Sequence, residues 1–309
     1  MRAALLRSTT HVTKLRDRIE SAGIERTFFL CSSPRTGSTM LGNLLAETRL
    51  VGRAGEVFGE VFYRDVVPGL SRRQFDEYLV VQSARRARET PTLGIKLHWY
   101  QVESFLYHLR LRRGLTSAND REVVEAVFPT PTFVWMTRED TIAQAVSWWK
   151  AMSTGRWTGT QAARAGAEYD EDGITGRLRR IEADDRSWRR WFGANEIEPL
   201  HVVYEELAAD PTGEVRRVLE HIGVDVPPDL VVVPRTERQA DAVNAEWIER
   251  YRAAAPSIPE PRPVEQPSIV DRARLRVAAV GFSLAVALCL LFVALPEELG
   301  DWPYNALGH

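Results

Sequence analysis

Phe28-Phe29-Leu30-Cys31-Ser32-Ser33-Pro34-Arg35-Thr36-Gly37-Ser38-Thr39-Met40-Leu41 decides the architecture of this chain. Phe28 to Cys31 is an apolar run of strand-forming residues. It stops at Ser-Ser-Pro, turns through Gly37, and gives way to Met40, Leu41, Leu44 and Leu45 at helical spacing. Strand, small-residue loop and helix N-terminus form an anion cradle. Loop N–H groups and the helix dipole both favour a phosphate or sulfate there. Arg35 adds a forked positive charge. Ser38 and Thr39 are expected to cap the helix and to donate hydroxyls. The loop lacks the first Gly and the Lys of the nucleoside-triphosphate loop G-x-x-x-x-G-K-[ST], so it does not read as an ATP-hydrolysing site.

The same grammar repeats along the rest of the chain. Arg26 to Ser32 is the first strand, Leu93 to Leu97 the second, running out through His98-Trp99-Tyr100. Thr132 to Met136 is the third and Leu200 to Tyr204 the fourth. Helical patterns separate them: about 40–48, 71–89, 102–113, 119–128, a segment led in by Asp140, and 174–192. Another runs from Pro211 to His221, and a polar, loosely held helix is expected over about 11–22. The segment 155–173 reads as a mobile loop. Strands alternating with helices predict an α/β domain of three layers around a parallel sheet. Ligands of such sheets sit beyond the carboxyl ends of the strands, where Ser33, Arg35, His98 and Arg138 all fall.

The 309 residues carry a net charge of −2, which excludes a general nucleic-acid binder. The two cysteines, Cys31 and Cys289, have no metal-ligand spacing. Nothing at the N-terminus reads as a secretory signal. Five prolines between 256 and 267 and a basic run at 271–276 mark a linker, and 277–295 is uncharged for long enough to cross a bilayer as a helix. The tail 296–309 has acidic residues but no Lys or Arg, which places residues 1–276 on the cytoplasmic side. The expected organisation is an N-terminal extension (1–25), a catalytic domain (26–255), the linker (256–276), a membrane helix (277–295) and a short tail (296–309).

Several separated stretches resemble the bacterial trehalose 2-sulfotransferase family. Ser33-Pro34-Arg35-Thr36-Gly37-Ser38-Thr39 is similar to its 5′-phosphosulfate-binding loop. Gly52-Arg53-Ala54-Gly55-Glu56-Val57-Phe58 resembles the segment that supplies its catalytic carboxylate, with Arg53 where the family can have Glu and Ala54 where it often has Pro. Gly94-Ile95-Lys96-Leu97-His98-Trp99 resembles its Gly-x-Lys-Leu-x-Trp strand. Arg138-Glu139-Asp140 with Gln144-Ala145-Val146-Ser147-Trp148-Trp149 resembles its 3′-phosphate site, and Trp157 lies where that family also has Trp. Arg238-Gln239-Ala240-Asp241 with Glu246-Trp247 and Arg250-Tyr251-Arg252 resembles its C-terminal block.

The resemblance implies a P-loop-type sulfotransferase fold. It implies 3′-phosphoadenosine 5′-phosphosulfate (PAPS) as donor and a hydroxyl of a carbohydrate or glycolipid as acceptor; a sulfuryl group carries less charge than a phosphoryl group, so no metal is expected. It assigns donor binding to Ser33, Arg35, Thr36, Gly37, Ser38, Thr39, Arg138, Ser147, Arg238 and Gln239. Glu56 falls on the family's general base, Glu60 being its nearest rival. His98 is a second candidate, because Lys96-Leu97-His98 also resembles the Lys-Thr-His of cytosolic animal sulfotransferases. Lys96 is placed to bridge donor and leaving group. The membrane helix suggests a lipid-linked acceptor at the cytoplasmic face of a bacterial inner membrane, and the resemblance allows a homodimer. The alternatives are a P-loop small-molecule kinase, which would need a Mg²⁺ carboxylate, and a non-catalytic nucleotide-binding membrane protein.

Overall fold

The computed structural model describes residues 15–56, 69–115, 117–157, 166, 168–234 and 242–254. Four parallel strands form one sheet: β1 (Arg26–Ser32), β2 (Thr92–His98), β3 (Pro131–Thr137) and β4 (Leu200–Val203), in the order β2-β1-β3-β4. The Phe28–Cys31 run lies in a central strand and is buried throughout. A parallel strand is covered by helices on both faces, so it can be apolar at every position.

The helices supply that cover. A first helix over 15–21 (α1) precedes β1. Between β1 and β2 come α2 (Ser38–Glu47) and α3 (Arg72–Ala87), and between β2 and β3 come α4 (Trp99–Arg113) and α5 (Asp120–Glu125). Then follow α6 (Thr141–Thr154) and α7 (Glu171–Ala194) before β4, with α8 (Tyr204–Ala209), α9 (Pro211–Ile222) and α10 (Ala242–Ala254) after it. Strand alternation divides the core in two. Phe29, Cys31, Ile95, Phe133 and Trp135 pack with α1, α3, α4, α5 and α7. Phe28, Leu30, Val134, Met136 and Val202 pack on the other face with α2 and α9. A smaller core joins α6, α7 and α10 through Val146, Trp148, Ile181 and Trp247.

Four local readings are corrected. α1 is not loosely held: Leu15 and Ile19 are 1% and 0% exposed and belong to the main core. Trp99 and Tyr100 do not extend β2. They open α4, whose first turn is closed by the Gln101 side chain accepting from the His98 N–H at 2.8 Å. Neither Ser38 nor Thr39 caps α2. The cap position is Gly37, in a left-handed conformation at φ 92°, and no side chain bonds to it. α7 starts at Glu171 behind an Asp170 cap, earlier than the expected 174, while 158–165 and 167 of the expected loop lie outside the described residues.

Residues 52–55 explain how a distant carboxylate reaches the loop. The Gly52 N–H donates to Thr92 O at 2.9 Å, and the Lys96 N–H donates to Gly55 O at 2.9 Å. With a parallel bridge from Gly55 to Ile95, the segment climbs beside β2 towards its carboxyl end. Gly94 permits this: a Cβ there would sit 2.7 Å from the Phe28 ring and 2.8 Å from the Ala54 nitrogen. Among the described residues no helix is long and apolar enough to cross a membrane. The expected linker (256–276), membrane helix (277–295) and tail lie outside the described residues, as do Glu60, Arg238 and Gln239.

Candidate active site

The ladder pairs Ser32 with His98 and with Met136, and Thr137 with Val203. The four strands therefore end at one edge. The loop 33–37, His98, Arg138 and Tyr204 all leave the sheet there.

The loop is built to present backbone. The Ser33 and Thr36 side chains are fully buried. The Thr36 hydroxyl donates to Ser33 O at 3.2 Å, closing the turn from within. Arg35 has φ 66° and Gly37 φ 92°, a left-handed pair of the kind that turns successive N–H groups to one side. The first-turn N–H groups of α2 receive no side-chain cap, so they add to the same donor field. Of the expected hydroxyl donors, Ser33 and Thr36 are turned inward, while the Thr39 hydroxyl faces Lys96.

The carboxylate sits at the mouth of this loop. Glu56 Oε1 is 2.9 Å from Lys96 Nζ and 3.4 Å from His98 Nε2. Gln101 Nε2 donates to Glu56 Oε2 at 3.3 Å. Lys96 Nζ also donates to Thr39 Oγ1 at 3.1 Å, so one ammonium spans the carboxylate and the first turn of α2. Burial by itself would raise the Glu56 carboxyl; the charges of Lys96 and His98 and their hydrogen bonds outweigh it and hold the group well below the usual carboxylate range. A quarter of the Glu56 side chain remains exposed, which leaves it reachable. His98 is engaged at both ring nitrogens. Nδ1 is 3.1 Å from Ser32 Oγ and 3.3 Å from Ser32 O, while Nε2 faces Glu56. Trp188 Nε1 donates to the same Ser32 carbonyl at 3.2 Å, fixing the end of β1.

A second basic locus lies beside the loop. Arg35 reaches out of its own turn: Nε donates to Ser147 Oγ at 3.0 Å and Nη1 to Trp157 O at 2.7 Å. Burial, with the Arg138 charge behind it, lowers the Arg35 guanidinium to about 10. Arg35, Arg138 and Ser147 thus converge, although 103 and 112 residues of chain separate Arg35 from the other two. Arg138 lies over the Tyr204 ring at 4.7 Å, and its buried Nε has no hydrogen-bond partner, Glu205 Oε1 being 3.8 Å away. Two neighbouring guanidiniums, one with an unmet donor, suit a phosphate.

Tyr204, Asp184 and Asp185 are site neighbours that motif reading passed over, and Gln144, quoted only as part of the 144–149 stretch, was given no role of its own. Tyr204 follows β4 and packs where a Gly37 Cβ would be 2.5 Å from its ring. Its signal was the strand end itself. The α7 acids had none, because a helical Asp reads as an ordinary solvent-facing residue. Trp135, Trp148, Trp188 and Trp247 are buried and fill core. Among the described residues no group of three or more His, Cys, Asp or Glu side chains is arranged to hold a metal ion.

The model of the Stf0 sulphotransferase family matches residues 27–254. The chain belongs to the Stf0 sulphotransferases. It is an enzyme, a sulfotransferase. Two relatives are similar over most of their length, both named trehalose 2-sulfotransferase. The one from Mycolicibacterium smegmatis is 30% identical over 262 residues, covering 74% of this chain and 95% of the relative. The one from Mycobacterium tuberculosis is 28% identical over 265 residues, covering 75% and 97%. A solved sulfotransferase from Alicyclobacillus acidocaldarius aligns over 74% of this chain and 95% of its own at 16% identity, with a TM-score of 0.39. The Stf0 match takes in all of the sheet but Arg26, together with the described residues of the candidate site, and stops before the expected linker.

Proposed function

We propose that this sulfotransferase moves a sulfuryl group from PAPS to a hydroxyl of a carbohydrate, with Glu56 as general base. The observation that carries the reading is the position of Lys96, between the carboxylate of Glu56 and the Thr39 hydroxyl at the head of α2. A base and an anion cradle joined by one ammonium form a site for transfer between an anionic leaving group and a neutral nucleophile.

The donor's two anionic ends fit the two basic loci. Loop amides and the α2 N-terminus suit the 5′-phosphosulfate; Arg35, Arg138 and Ser147 suit the 3′-phosphate, with the Tyr204 ring beside the adenosine. Glu56 takes the acceptor hydroxyl's proton as the new O–S bond forms. The S–O bond to the 5′-phosphate breaks, and the electron pair leaves on the phosphate oxygen. Such loose in-line transfer depends on positioning and on charge stabilisation, which Lys96 and the loop amides supply. His98 and Gln101 hold the Glu56 carboxylate in place. His98 serves as an orienting partner in this scheme, because both its nitrogens are already engaged.

The two relatives' names favour an acceptor of the trehalose class. A membrane tether through 277–295 would extend this to glycolipids at the cytoplasmic face; that part rests on sequence alone. The test is transfer of labelled sulfate from PAPS to trehalose and to membrane lipid extracts by wild type and Glu56→Gln. Wild type is expected to label one of these, and the variant to lose about 10²–10⁴-fold in turnover while still binding adenosine 3′,5′-bisphosphate. Equal turnover by both proteins removes Glu56 from the chemistry, and no donor binding by wild type removes PAPS.

A further inference from the structure

We propose that Gln144 and Asp185 are positioning residues that brace the donor loop, and that donor affinity depends on them although neither reaches the donor itself. The inference rests on the donor reading of that loop. Gln144 on α6 is fully buried, and its Nε2 donates to Pro34 O at 2.7 Å and to Ser33 Oγ at 3.0 Å. The Pro34 carbonyl can only accept, so it fixes which way the amide faces. Ser33 Oγ then donates to Asp185 Oδ1 on α7 at 3.4 Å. Two helices from the long β3–β4 connection therefore hold the same dipeptide.

The consequence follows from peptide geometry. In a trans peptide the carbonyl and the next N–H point in opposite directions. Gln144 draws the Pro34 carbonyl towards α6, so the Arg35 N–H is turned away from that helix. Arg35 is held at φ 66°, a conformation uncommon for non-glycine residues. Gln144 thus sets the peptide plane on which the first donor of the loop depends. Three residues further along α6, Ser147 accepts from the Arg35 guanidinium. One helix thereby locks both the backbone and the side chain of the loop, and it ties the two phosphate loci together. Asp185 answers from α7 with Arg186, Arg189 and Asp184 around it, and burial raises its carboxyl to about 6.

The experiment is calorimetric titration of the full chain with adenosine 3′,5′-bisphosphate, alongside steady-state kinetics and thermal unfolding. Gln144→Leu is expected to weaken bisphosphate binding about tenfold and to raise the donor KM by the same factor. The acceptor KM should stay within about twofold, because the brace acts only through the loop. Asp185→Ala should weaken binding several-fold, and Asp185→Asn should restore it, since an amide oxygen can still accept from Ser33. Should Gln144→Leu fail to fold, the two Asp185 variants decide. Unchanged bisphosphate affinity in Gln144→Leu and Asp185→Ala overturns the inference while leaving the donor reading intact. An equal rise in donor and acceptor KM also overturns it, as the mark of a merely structural role. Wild type that binds no bisphosphate overturns the donor reading and this inference with it.

Discussion

Replacing Asp184 by asparagine should make the protein more stable at neutral pH and leave it almost unchanged in acid. Asp184 lies on α7 with its side chain 2% exposed. One oxygen accepts from Arg180 Nε at 2.7 Å, and the other is buried without a hydrogen-bond partner. Burial raises its carboxyl from 3.8 to about 6, and the opposing pull of Arg180 and His98 does not cancel it. A folded-state value above the unfolded one means that the native protein holds the proton more tightly. Stability is then full below the unfolded value and is lost as pH rises towards the folded one. At about 1.4 kcal/mol per pH unit, a rise of this size sets the loss at roughly 3 kcal/mol above pH 7. Asparagine stands in for the protonated acid, so the variant should escape that loss. Unfolding midpoints of wild type and Asp184→Asn, taken near pH 4 and near pH 8, measure it. At about 2–4 °C per kcal/mol for a domain of this size, the variant should melt roughly 6–12 °C higher near pH 8 and within a degree or two near pH 4. Titrating groups beyond its reach cancel in the comparison, while Asp185, whose carboxyl the Asp184 charge also raises, shifts the outcome in the same direction. A variant that is less stable near pH 8, or a difference that does not change with pH, would show that Arg180 compensates the buried charge in full.

Two further outcomes bear on the site. Gly37→Ala meets both a positive φ and the Tyr204 ring, so it should cost roughly 2 kcal/mol in urea unfolding and weaken bisphosphate binding; wild-type values for both would mean that the loop relaxes without cost. Lys96→Met removes the charge that most depresses Glu56 and leaves the effect of burial. A base is active only when unprotonated, so activity falls as pH drops through its pKa. The acid limb of the kcat/KM–pH profile should therefore move to higher pH in the variant; a limb that stays put would assign it to another group.

Much of the fold was legible because its signals are local. Phe28–Cys31 and Thr132–Met136 are apolar without alternation, which only a strand covered on both faces tolerates. The helix limits at Ser71, Asn119 and Asp140 follow from side chains that cap their own backbone. Local preference misleads where tertiary contact outranks it. Leu15 and Ile19 supply only two apolar contacts on a polar helix, yet the sheet buries both. Ser38 and Thr39 favour capping in isolation, but the turn is set by the left-handed Gly37 packed under Tyr204.

Residue order alone settles the succession of strands and helices, the glycine turn that ends β1, and the set of residue types from which the site is drawn. Periodicity, turn chemistry and capping act over a few residues and are written in neighbours. It takes the folded chain to show that Lys96 spans Glu56 and α2, that His98 is committed at both nitrogens, and that Ser33 faces Gln144 and Asp185. Those contacts join positions as close as Glu56 and Lys96 and as distant as Ser33 and Asp185, which are 152 residues apart. The register of the parallel sheet and the packing of its crossover helices bring them together, and no local pattern encodes either.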